Sequence, residues 1–98
     1  MRTMVTVRLP VGKANDAIRN GSMGRIIQST LERIQPESAY FFVENGKRTM
    51  RAVFDLKSPQ DQVTLFEPVF LELDAELEFA TVMTVAELAA GLQAIPAT

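Results

Sequence analysis

A chain of 98 residues, 47% hydrophobic and 22% charged, has the makeup of one packed domain rather than of a disordered or collagen-like polymer. It contains no cysteine and no histidine, which together exclude disulfides, thiolate nucleophiles, cysteine-held metal clusters, imidazole bases and histidine-ligated haem. A net charge of −2 gives no broad positive field for a phosphate backbone, so nucleic acid is not an expected partner.

A chain this short hides only roughly 65% of the surface its unfolded form exposes, so a second subunit would add stability. No apolar run approaches the ~20 residues of a membrane span. Met1 to Val5 lead directly into an alternating pattern rather than a signal-peptide core, and the expected location is the cytoplasm.

From Thr3 to Leu9 the pattern has period two, with Val5, Val7 and Leu9 on one face and Met4, Thr6 and Arg8 on the other; this predicts a strand closed by Pro10. Apolar residues then return at helical spacing: Ala14, Ala17 and Ile18, followed by Met23, Ile27, Leu31 and Ile34. Asn20-Gly21 divides them into a short first helix and a firmer one over about 22–34, with Ser22 as candidate N-cap and Pro36 as terminator.

Residues 39–55 hold two aromatic and β-branched runs around Asn45-Gly46, the dipeptide best suited to the two positive φ values of a type I′ turn. The resulting hairpin sets Glu44 opposite Lys47, Phe42 opposite Thr49, Phe41 opposite Met50, Tyr40 opposite Arg51 and Ala39 opposite Ala52. Its greasier face, Ala39, Phe41, Val43, Met50, Ala52 and Phe54, is expected in the core. Ser58-Pro59-Gln60-Asp61 reads as a helix start, with Val63, Leu65, Phe66, Val69 and Phe70 as the buried stripe and Pro68 as a kink or split. Residues 75–83 alternate again, turning Leu77, Phe79 and Met83 inward. Thr84-Val85-Ala86-Glu87 then repeats the capping-box pattern ahead of a terminal helix whose apolar side is Val85, Leu88, Ala89 and Leu92.

The predicted order β, α, β, β, α, β plus a C-terminal helix is the ferredoxin-like pattern: an α+β domain over 1–98 with helices on one face of a four-stranded antiparallel sheet. With the runs Gln28-Ser29-Thr30-Leu31-Glu32, Pro36-Glu37-Ser38-Ala39-Tyr40-Phe41, Asn45-Gly46-Lys47-Arg48-Thr49 and Phe66-Glu67-Pro68, the chain resembles the dimeric α/β-barrel superfamily. In particular it resembles a group of short bacterial proteins that have no established activity. The resemblance implies the fold and a homodimer. It leaves function open, because the superfamily includes cofactor-independent monooxygenases, isomerases, haem-degrading enzymes and ligand-binding proteins.

With helices on one side, the other face would show Met4, Thr6, Arg8, Tyr40, Phe42, Thr49, Arg51, Val53, Glu76, Glu78, Ala80 and Val82. Leaving Tyr40, Phe42, Val53 and Val82 in water makes a patch that monomers avoid, so this face is expected to pair with its copy. Arg8, Arg51, Glu76 and Glu78 then serve as ion pairs that set register. The functional reading makes Arg8, Tyr40, Phe42 and Arg51 ligand-binding residues for a small anionic or aromatic molecule, with Tyr40 and Glu78 as catalytic candidates through a phenol donor and a carboxylate base. No cofactor or metal is expected. A homodimeric binding or accessory protein is the leading expectation, and a cofactor-independent isomerase or monooxygenase the alternative.

Overall fold

The computed structural model of the protein describes residues 1–97. The elements are β1 (Arg2–Arg8), α1 (Val11–Arg19), α2 (Met23–Ile34), β2 (Ser38–Glu44), β3 (Lys47–Asp55), α3 (Asp61–Thr64), α4 (Glu67–Leu73), β4 (Glu76–Thr81) and α5 (Val85–Gln93). The four strands form one antiparallel sheet in the order β2-β3-β1-β4, which makes this an α+β protein.

Period-two alternation decides which face each residue takes. Val5 pairs with Ala52 on one side and Phe79 on the other, and Val7 pairs with Met50 and Leu77. This face meets Ala14 and Ala17 of α1, Met23, Ile26 and Ile34 of α2, and Val69 and Leu73 of α4 in a single buried cluster. Phe66, fully buried, stacks edge-on against both Phe54 and Phe79 with ring centroids 5.6 and 5.3 Å apart, tying the helix junction to the sheet.

The hairpin has the predicted register at every position, from Glu44 opposite Lys47 to Ala39 opposite Ala52. Asn45 and Gly46 take φ of 52° and 76°, the left-handed values that a type I′ turn requires. The break at Asn20-Gly21 is also present, with Gly21 at φ 81°. Pro68 splits its helix in two: it sits in the first turn of α4, where its missing N–H leaves no intrahelical bond unmade.

Four local expectations are corrected. Ser22 makes no side-chain cap; it has helical dihedrals, and its N–H donates instead to Asn20 Oδ1 at 2.9 Å. Ser58-Pro59 forms a turn, with Asp61 N–H donating to the Ser58 carbonyl, so the helix starts only at Asp61. Val63 and Met83 are exposed, the former because α3 is a single turn at the edge of the core, the latter because β4 ends at Thr81. Phe41 and Val43 are 54% and 71% exposed, since β2 is the outermost strand and its turn end extends past the helices.

The capping box of α5 is present: Thr84 Oγ1 accepts from Glu87 N–H at 3.2 Å, and Glu87 Oε1 accepts from Thr84 N–H at 2.9 Å. The expected apolar side of α5 is not buried, however, and every residue from Met83 to Ala97 is exposed.

Candidate functional site

Two features are built on opposite faces of the sheet. On the open face, the side chains of Arg8 from β1, Glu44 from β2, Arg51 from β3 and Glu78 from β4 meet because antiparallel pairing brings residues of equal phase side by side. Arg8 donates from Nε and Nη2 to Glu44 Oε1 at 3.2 and 3.1 Å, and from Nη1 to Glu78 Oε1 at 2.5 Å. Arg51 approaches the other oxygen of Glu44, with Nη2 at 3.7 Å from Oε2. These contacts form a row of alternating charge across the sheet, with Glu44 shared between two guanidinium groups.

Arg51 also donates from Nε to Thr6 Oγ1 at 3.1 Å, and its guanidinium carbon lies 5.0 Å from the centroid of the Phe42 ring. The arginine stem and its hydrogen bond account for a buried threonine on a face with no helices over it. The hydrogen bonds that Arg8 donates to Glu44 and Glu78 raise its pKa further above its already high value, so it stays charged at any physiological pH.

Of the residues expected to form a site, Arg8, Arg51, Phe42 and Glu78 lie in this network. Tyr40 faces Arg51 in the register but stands 70% exposed on the outer strand. Glu44 was missed by sequence reasoning; its signal was available, since it shares the phase of Tyr40 and Phe42 along β2. With Glu44 between them, the arginines are already neutralised. The chemistry of the face is therefore that of a balanced, two-signed surface rather than a free anion clamp.

On the helix side lies a cavity of about 220 Å³ between α1, α2, α4 and the sheet. Its wall includes Ile18, Met23, Ile27, Phe41, Met50 and Leu73. Thr30 adds little polarity, because its hydroxyl is already donated to the Ile26 carbonyl at 2.8 Å. Arg48 is the one ionisable residue in the wall, and its Nη1 donates to Asn15 Oδ1 at 3.0 Å. The exposed Phe41 is therefore a side wall of this chamber as well as an edge-strand residue. The volume exceeds the ~150 Å³ that suffices for benzene in an engineered apolar cavity, although this space is partly open to solvent.

Among the described residues, no cluster of three or more acidic side chains is placed to hold a metal ion, and no helix is long and apolar enough to cross a membrane. No protein-family model matches the sequence, and no curated protein matches it significantly.

Proposed function

We propose that this chain is a ferredoxin-like homodimer of the dimeric α/β-barrel type that serves as a small-molecule-binding or accessory protein. The strand order β2-β3-β1-β4, with helices gathered on one face, supports the fold reading, since two interleaved βαβ units produce that order. The observation that carries the dimer is the open face itself. It combines an exposed Tyr40, partly exposed Phe42, Val53 and Val82, and a charge row containing both signs. A surface with both signs suits a two-fold contact, where each residue must meet a complement on an identical copy.

The ligand assigned to it is a small aromatic molecule held in the apolar chamber beside Phe41. Binding is preferred over catalysis because Arg48 is the one ionisable group in the chamber wall, and proton transfer needs a base there. Tyr40 and Glu78, the candidates for that role, extend from the opposite face of the sheet.

Sedimentation equilibrium at micromolar concentration tests the dimer. The wild type is expected to sediment as two chains and Tyr40→Glu as one; a wild-type monomer would end the proposal. For the chamber, indole is expected to raise the melting temperature of the wild type but not of Ile27→Trp, which fills the space.

A further inference from the structure

We infer that α5 is an arm that packs on a second copy of this chain, lying over the end of the partner's open sheet face; the inference rests on the homodimer proposed above. The starting point is an imbalance in the structure of α5. It is a formed helix of nine residues with a complete capping box, yet Val85, Leu88, Leu92 and Ile95 are 85%, 49%, 59% and 64% exposed. Isolated helices shorter than ~12–15 residues are marginal in water, so a nine-residue helix needs a surface to lie on.

Its own chain does not supply one. β4 runs antiparallel to β1 and delivers the chain beside Arg2, where Val82 N–H donates to the Arg2 carbonyl and Arg2 Nη1 donates to Glu87 Oε1 at 3.2 Å. The apolar chamber is at the other end of β1, near Val7 and Leu9, roughly 20 Å away at ~3.4 Å per residue. The molecule is correspondingly long, 60 Å in its greatest extent, with a radius of gyration of 16.2 Å against ~13 Å for a compact chain of this size.

Continuity, charge and area identify the occupant. Arg2 has the phase of Met4, Thr6 and Arg8, so the tether of α5 belongs to the open face, where a second copy would sit. From Val82 to Thr98 the only charged residue is Glu87. With no lysine or arginine on it, this helix lacks the basic face that draws amphipathic helices to anionic membranes. Strands of six to nine residues give the four-stranded sheet a footprint of roughly 450–500 Å². Stable interfaces bury about 800 Å² per partner, and two reciprocal arms enlarge the contact without breaking its two-fold symmetry.

The test uses the full-length chain. Leu88→Asp/Leu92→Asp is expected to weaken the dimer at least tenfold in sedimentation equilibrium. A second measurement does not depend on that variant: with no native cysteine, a spin label on Gln93→Cys is unique. Mixed with an isotope-labelled, unmodified copy, it is expected to broaden the amides of Met4, Val53 or Ala80 in that copy. A wild-type monomer overturns the dimer and the arm together. A dimer unaffected by the double substitution, or without intermolecular broadening, overturns the arm and leaves the dimer standing.

Discussion

The guanidinium of Arg51 lies over the ring of Phe42, 5.0 Å from its centroid, while its Nε holds the hydroxyl of the buried Thr6. One side chain thereby links β2, β3 and β1 on the face that carries no helices. Arg51→Lys keeps the charge but loses the planar stack and the fixed donor. A stacked cation contributes about 0.5–1 kcal/mol at a partly exposed site and a hydrogen bond about 1 kcal/mol. The expected loss is about 1–2 kcal/mol by urea denaturation, and a change below about 0.3 kcal/mol would refute the linking role.

The Arg8–Glu44 pair should couple more strongly than an ordinary surface pair. Its side chains are 22% and 33% exposed and are joined by two donors, whereas Arg25 and Glu72 are 63% and 41% exposed and share one contact. A double-mutant cycle is expected to give a clearly larger coupling for Arg8–Glu44 than for Arg25–Glu72. Equal couplings would mean that Glu44 organises nothing.

Phe66 and Val63 make a paired test of the core. Both come from the same apolar run, yet Phe66 is fully buried between two rings and Val63 is 57% exposed. Phe66→Ala is expected to cost about 3–5 kcal/mol, enough to threaten folding in a domain this small. Val63→Ala should stay within about 0.5 kcal/mol.

This contrast shows where the sequence is informative. Alternation identified the strands, and Asn45-Gly46 identified every pair in the hairpin, because a two-residue turn leaves no freedom in register. Phe41, Val43 and Val63 were assigned to the core because periodicity reports direction and not coverage: a residue can point at the helix layer and still lie beyond its rim. Ser58 matched a capping pattern, but Pro59 began a turn instead. In the candidate site, the placement of Arg8, Arg51, Phe42 and Glu78 on one face was legible from phase. The chamber was not, since a gap between packed helices and a sheet depends on side-chain fit that no pattern encodes. The exposure of α5 was likewise invisible, because its apolar side reads the same whether the surface it meets belongs to its own chain or to another.

Acid should loosen α5 selectively. The backbone and hydroxyl of Thr84, with Arg2 beyond them, hold the Glu87 carboxyl below its ordinary value of 4.5. A carboxylate with a lowered folded-state pKa contributes stability that is full above the ordinary value and lost as pH falls through the lowered one. As pH falls through that lowered value, the amides of residues 85–88 are therefore expected to lose protection against exchange, measured relative to their intrinsic rates. Glu87→Ala should show that loss of protection already at neutral pH. Asp55 has a lowered pKa for a different reason, the N-terminal ammonium 2.6 Å from its Oδ1. Acetylation of the N-terminus should restore Asp55 toward its usual value and leave Glu87 unchanged.

β1 is made before either of the strands that flank it in the finished sheet. Val5 has Ala52 on one side and Phe79 on the other, so neither of its neighbours exists when it leaves the ribosome. At ~5–20 residues per second, roughly 4–15 s separate the synthesis of Val5 from that of Phe79. Until Ala52 is made both edges at Val5 and Val7 are unpaired, and until Phe79 is made one edge stays open, while α1 and α2 emerge with no complete sheet to cover. The four-stranded sheet is therefore completed only once β4 is available, which leaves one edge of β1 without its partner throughout that interval.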